Sequence, residues 1–281
     1  MTEHDVAAAP LGVVGSETNP MLKITGGELR FGRFKLFNDL SLSMGQVGTP
    51  SIVALIGTNG SGKSALANVV SGYYHLSAGS VEVGGRAVTR LGSAQRARHG
   101  VRRSFQNVSG ISGMTLLSYV MLGWEPVWSQ PILNTVIGRP KARREEQAVA
   151  EKTMALISDV GLGQYYDRPL ESCPYGVRKV ADVVRAIGTA PGTVALLDEP
   201  TSGVSQSERG TVLDVIRSAF ANNQCQLVVV IDHDVAFVRD LCPSSIVLEA
   251  GKVLASGATE DVLKMERVAV SFAGVKEHAD G

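Results

Sequence analysis

The apolar positions of the chain fall into two kinds of pattern. Ser51-Ile52-Val53-Ala54-Leu55-Ile56 is a nearly unbroken apolar run that ends in glycine. Runs of this length suit a strand buried on both faces, as in a parallel sheet. Residues 194–197 and 226–231 repeat the pattern. The intervening spacing predicts helices over 63–71, 207–220, 234–241 and 259–265. Residues 21–25 and 28–31 read as two short strands broken by Gly26-Gly27, and 40–44 and 101–105 as further strands. Residues 81–83 and 86–88 meet across Gly84-Gly85, and 245–249 and 252–255 across Ala250-Gly251, which are hairpin signals.

The middle of the chain differs. Residues 115–123 are apolar and helical, Pro126, Pro131 and Pro140 interrupt a loop, and 141–160 and 175–187 carry helical patterns with a buried face. Residues 108–188 therefore read as a helical insertion in an α/β domain that spans 21–265, with a flexible tail over 1–20 and a C-terminal tail over 266–281. Arg139, Lys141, Arg143 and Arg144 suggest a basic patch, but Glu145, Glu146 and Glu151 follow at once. A solvated, salt-bridged helix is the better reading. Trp124 and Trp128 are either local packing or an anchor for a partner.

Composition narrows the function classes. Lys plus Arg and Asp plus Glu are 27 each, for a net charge of zero, which argues against a whole-molecule grip on nucleic acid. Hydrophobic residues at 44% allow a sizeable core. Gly is 31 of 281, above the usual level of about 7%, which implies tight turns or close backbone approaches. Cys173, Cys225 and Cys242 lack metal-site spacing and fit a reduced compartment as small buried hydrophobes. No run approaches the ~20 apolar residues of a membrane span, and Met1 to Pro20 does not read as a secretory signal. A soluble cytoplasmic protein is expected.

Gly57-Thr58-Asn59-Gly60-Ser61-Gly62-Lys63-Ser64 fits the phosphate-binding pattern G-x-x-x-x-G-K-S, after a strand and at the start of a helix. The glycines let backbone N–H groups converge on phosphate oxygens, and the helix start adds partial positive charge. Lys63 is expected to reach the β- and γ-phosphates of a nucleotide and the Ser64 hydroxyl to bind Mg²⁺. The run Val194-Ala195-Leu196-Leu197 ends in Asp198-Glu199, where ligands of such sheets bind. Asp198 suits the Mg²⁺ shell, and Glu199 can orient or deprotonate an attacking water.

With these motifs in order, the sequence resembles the ATP-binding subunits of ABC transporters over residues 21–274. The resemblance implies an α/β P-loop (RecA-like) core with an antiparallel β subdomain and an inserted helical subdomain. It implies that Gln106, in Arg103-Ser104-Phe105-Gln106-Asn107, senses Mg²⁺ and water and leads into the transmembrane contact. His233, in Ile231-Asp232-His233-Asp234, corresponds to the switch histidine at the γ-phosphate. Phe31 matches the aromatic that stacks on adenine, with Phe34 as competitor. The Leu-Ser-Gly-Gly-Gln signature, which grips ATP of the opposite subunit, is replaced by Cys173-Pro174-Tyr175-Gly176-Val177. Tyr175 and Gly176 are its counterparts here. Ser205 stands where the family usually has an aspartate.

The 231–234 run, the 251–257 run and residues 268–274 are similar to the branched-chain amino acid importer group. The resemblance implies an ATP hydrolase using Mg²⁺ that powers an importer of branched-chain amino acids or related small polar solutes. Its partners would be membrane permease subunits, a second identical or related ATPase subunit and, through the permease, an extracytoplasmic solute-binding protein, with no nucleic acid. It would sit peripherally on the inner face of the cell membrane. The alternatives are the ATPase of a urea/amide or lipid-export system, or a low-activity regulatory nucleotide-binding module. The span from Ser64 to Gly176 carries no heptads and no cysteine cluster, which disfavours a DNA-repair or chromosome ATPase.

Overall fold

The computed structural model describes residues 13–14, 19–105, 113–127, 140–188, 192–221 and 225–273 of the chain. The order opens with strands β1 (Val13–Val14), β2 (Leu22–Phe31), β3 (Phe34–Met44) and β4 (Ser51–Gly57), then helix α1 (Lys63–Ser71). Strands β5 (Ala78–Val83) and β6 (Arg86–Ala87), helix α2 (Ser93–Arg98) and strand β7 (Val101–Arg103) follow. Next come α3 (Leu116–Met121), which continues as 3-10 helix Leu122–Val127, then α4 (Pro140–Asp159) and α5 (Tyr175–Val183), which runs into a π-helical turn Val184–Gly188. The alternation resumes with β8 (Gly192–Asp198), α6 (Gln206–Ala221), β9 (Cys225–Ile231), α7 (Val235–Leu241), β10 (Ser244–Glu249), β11 (Lys252–Ala258), α8 (Thr259–Lys264) and α9 (Glu266–Ala273).

Among the described residues two sheets form. One has the order β11-β10-β4-β9-β8-β7, parallel except for β11. The other has the order β1-β3-β2-β5-β6, antiparallel except for the β1–β3 pair. The unbroken apolar run of β4 follows from its place between two cores. Ile52, Ala54 and Ile56 pack with residues of α3, α5 and α6 on one face. Val53 and Leu55 pack with α1 and the antiparallel sheet on the other. A strand with two buried faces has no position left for a polar residue until it ends. Register then sets where the ends fall: Ile231 of β9 pairs with Leu55 of β4 and with Asp198 of β8. The loops after β4, β8 and β9 are thereby brought to one edge.

The structure departs from the sequence reading at five places, one of them β3, which begins at Phe34 and not at Leu40. Residues 22–31 are one strand, because Gly26, at φ 60, is absorbed within a series of register shifts between Ile24 and Arg30. Val13–Val14 of the expected tail pairs with Ser43–Met44, and Glu266–Ala273 of the other expected tail is helical. Helix α2 escapes pattern reading because Ser93–Arg98 is polar and holds no apolar period. Its Arg96 is nevertheless buried and donates to the carbonyls of Val70 (3.0 Å), Leu91 (2.9 Å) and Thr89 (3.0 Å), which ties α2 to the end of α1.

All three cysteines are buried, and no disulfide links them. Burial pushes the thiols of Cys225 and Cys242 up to about 11 and about 12. Both stay protonated below those values, and the thiolate is the reactive form. The folded protein at pH 8 is therefore expected to react with a thiol reagent such as DTNB only on unfolding. Rapid modification of Cys225 or Cys242 in the native protein would contradict this.

Candidate functional site

The loop between β4 and α1 is shaped by backbone and not by side chains. Gly62 is the N-cap of α1, at φ 107, with no side-chain cap bond. A Cβ there would lie 2.8 Å from Phe37 Cε1, so the position demands glycine for both conformation and space. With no capping side chain, the first N–H groups of α1 face outward and suit an anion. Lys63 Nζ lies over the loop and donates to Gly57 O (2.7 Å) and Thr58 O (2.8 Å). Burial lowers its pKa, and the charges of Glu199 and Asp198 oppose that shift.

A cavity of about 440 Å³ opens beside this loop. Asn59, Gly60, Gly62, Lys63, Ser64, Asp198 and Glu199 all line it, so the structure brings both sequence motifs to one place. Asp198 is buried at 4% exposure, and its Oδ2 accepts from Arg103 Nη2 at 2.8 Å. Arg103 also donates to Asn68 Oδ1 at 2.5 Å. Glu199 takes a left-handed backbone, at φ 47, with its N–H on Ile231 O (2.7 Å). His233 Nδ1 stands 3.6 Å from Glu199 Oε1, with the ring largely exposed. The neighbouring Asp232 is buried and accepts from the Thr201 hydroxyl (2.9 Å) and the Asp234 N–H (3.0 Å).

The donor set fits Mg²⁺. A hydroxyl at Ser64 and a carboxylate at Asp198 are hard oxygen donors on the same cavity, and Mg²⁺ takes few protein ligands beside phosphate and water. An ammonium, open helix N–H groups and two carboxylates around one cavity can hold a polyphosphate and activate a water next to it.

Residues 37–202 match the protein family described as ABC transporter. This chain belongs to that family. It is 26% identical, over 92% of its own length and 99% of the relative's, to the high-affinity branched-chain amino acid transport ATP-binding protein LivG of Salmonella typhimurium. It is equally similar to the corresponding BraF of Pseudomonas aeruginosa. The phosphonates import ATP-binding protein PhnC 1 of Rhodopseudomonas palustris is 31% identical, over 82% of this chain and 80% of that one. Among solved structures, the ADP conformation of an ATP-binding cassette of an ABC transporter aligns with a TM-score of 0.75 at 25% identity, covering 92% of this chain and all of that one. The P-loop ABC ATPase fold is thus established, and the subunit is an ATP hydrolase.

In this ABC subunit the Cys173–Val177 stretch leads into the start of α5, and none of its residues lines the cavity beside the P-loop. Pro174 is the N-cap. Val177 is buried at 8% exposure and joins the core under the sheet. A Cβ at Gly176 would meet the end of the Glu208 side chain, whose carboxylate would have to swing aside. Glu208 in turn accepts from the N–H (2.8 Å) and hydroxyl (2.7 Å) of Ser205, while Ser205 Oγ caps α6 at the Glu208 N–H (3.4 Å). Ser205 therefore forms a capping box at the place of the usual aspartate. Phe31 is half-exposed and meets Tyr74 edge-on at 5.3 Å, and Phe34, its strand partner, is exposed. Gln106 and Trp128 lie outside the described residues. Trp124 donates to Thr153 Oγ1 of α4 at 3.1 Å, which favours local packing.

Two residues that sequence reasoning missed stand beside the carboxylates: Arg103, and Lys179 of α5, whose Nζ donates to Glu199 O at 3.2 Å. A charge at the end of a strand and another in a buried helix face were the available signals. The Gly176 geometry makes a prediction. G176A is expected to cost about 1 kcal/mol in urea unfolding, because its methyl displaces the Glu208 carboxylate from Ser205. In an E208A background the same substitution should cost almost nothing. An equal cost in both backgrounds would show that the two side chains do not compete for space.

Proposed function

We propose that the chain hydrolyses Mg²⁺-ATP in the cavity between the P-loop and Asp198-Glu199 and so powers an importer of branched-chain amino acids or related small polar solutes. The observation that carries the site is the convergence of Lys63, Ser64, Asp198 and Glu199 on one cavity. The cargo class is supported by the LivG and BraF relatives, which align over nearly their whole length. The phosphonate-import relative spans less of both chains.

In this reading the N–H groups from Gly60 to Ser64, with Asn59, Thr58, Ser61 and Gly57 shaping the loop, cradle the phosphates while Lys63 reaches the terminal ones. Phe31 packs on the adenine. Ser64, Asp198 and Gln106 are the residues that would hold Mg²⁺, which when bound neutralises charge on the phosphate oxygens. Glu199 accepts the proton of the attacking water, whose oxygen bonds to the γ-phosphorus as the bridging P–O bond breaks. His233 steadies the γ-phosphate. Tyr175 and Gly176 face the ATP of a second, identical or related, ATPase subunit. A groove of about 360 Å³ lined by Tyr73, Phe105, Leu122, Arg102 and Arg185 is the proposed seat of a permease segment. No described helix is long and apolar enough to cross a membrane. In this reading the subunit works from the inner face of the membrane through its permease, and the solute-binding protein meets the permease outside.

Two variants test this. K63A is expected to weaken ATP binding in calorimetry by about tenfold to a hundredfold, the worth of charge-assisted hydrogen bonds. Unchanged affinity would remove Lys63 from the role. E199Q is expected to bind ATP but not turn it over, and its size by light scattering with ATP should double if the partner is a second copy. Hydrolysis at the parent rate would remove Glu199 as the base. An inactive E199Q that stays monomeric with ATP identifies a non-identical partner.

A further inference from the structure

We propose that Lys179 is a positioning residue for ATP hydrolysis: from the middle of α5 it holds the main chain of Glu199 in the left-handed turn that presents its carboxylate to the cavity. The proposal rests on the reading of Glu199 as the base.

Lys179 is 1% exposed, an expensive place for an ammonium. Its surroundings explain its presence there. Burial lowers its pKa, and the charges of Asp182, Glu199, Asp198 and Asp232 all oppose that shift. Its Nζ donates to the Glu199 carbonyl at 3.2 Å. That carbonyl also accepts from the Ser202 N–H at 3.2 Å, and the Glu199 N–H is held by Ile231 O at 2.7 Å.

Glu199 needs such restraint. At φ 47 it occupies a region that is strained for any residue other than glycine, and Pro200 narrows its choices further. The peptide on one side of Glu199 is fixed by β9, and the peptide on the other by its own turn and by Lys179. Only the last contact comes from a helix. Helix α5 begins with Tyr175 and Gly176 and reaches Glu199 one turn later. A displacement of α5 therefore moves the donor that restrains the base. The ammonium touches the main chain of Glu199, so it acts through the geometry of the base and not on the phosphates.

The test is steady-state hydrolysis of Mg²⁺-ATP by the full chain, with rates normalised to ATP-binding sites counted by calorimetry. K179M keeps the length of the side chain and removes the charge and its hydrogen bonds. It is expected to lower kcat about tenfold, the worth of one hydrogen bond to a charged group, with KM and Kd for ATP within about twofold. K179R, which restores a cation and donors, is expected to recover kcat to within about threefold. A lysine that only supports the fold would instead lower Tm and the count of competent sites, with kcat per site unchanged. That result, a K179M kcat within about twofold of the parent, or a K179R as slow as K179M would each overturn the proposal. Should K179M fail to fold, K179Q is subject to the same expectations and the same overturning results. E199Q is assayed beside them. If E199Q is inactive while K179M runs at the parent rate, the positioning role alone fails. If E199Q runs at the parent rate, the reading of Glu199 as the base fails first.

Discussion

Carboxylates buried at the end of a parallel sheet are the constraint on which the rest of this structure depends. Asp198 and Asp232 are 4% and 1% exposed, and Glu199 lies between their two strand ends. Charges at that depth are tolerated only with partners, because desolvation otherwise outweighs any gain. The chain supplies cations from three directions. Arg103 comes from the neighbouring strand β7, Lys63 from the start of α1, and Lys179 from α5. Each cation needs its own element at a set distance, so the order of strands around β8 and the seat of α5 follow from the same electrostatic requirement.

Helix α5 is accordingly more than a lid on the core. At its start, Gly176 lies against the Glu208 carboxylate and so against the turn that begins α6. At its middle, Lys179 meets Glu199. Near its end, Asp182 accepts from the Phe105 N–H (2.6 Å) and the Tyr119 hydroxyl (2.7 Å), and it pairs with Arg185 (2.7 Å). The π-helical turn carries Arg185, which stacks over Phe105 at 4.6 Å and donates to Arg103 O at 2.7 Å. Single π turns within α-helices are frequent at functional sites. The result is a contiguous run of contacts from α3, through α5, to the residue that holds Asp198. One helix thus touches the strand end at Phe105, the main chain of Glu199, and the turn carrying Ser205.

How far the site was legible in the sequence depended on how local each feature is. The P-loop occupies eight consecutive residues between a strand and a helix, so spacing alone revealed it. Asp198-Glu199 was legible because a fully apolar strand can change to charge only where it ends. Arg103 and Lys179 were not, since their partners lie far along the chain and only strand order brings them together. The polar helix α2 was invisible to a hydrophobic period for a similar reason: its anchor is one buried arginine bonded to carbonyls. Gly26-Gly27 misled because a bulge and a break have the same composition, and only pairing partners tell them apart.

The departures from the usual signature have a common physical logic. Val177 is turned into the core, where an apolar side chain suits burial better than an amide without partners. Ser205 retains the one function a helix start requires, a side-chain oxygen that accepts an N–H, and does so without setting a second carboxylate beside Glu208. Pro174 brings no hydroxyl, but it holds the extended N-cap geometry, at φ −52 and ψ 149, from which α5 departs with no side-chain cap. Pro174 thus offers no side-chain bond to the first N–H groups of α5, just as Gly62 offers none to those of α1. What the chain preserves at this position is backbone: a glycine that lets the helix start lie against Glu208, and uncapped donors at a positive helix end. Recognition by main-chain groups tolerates side-chain divergence, because the donors belong to the fold and not to the residue type.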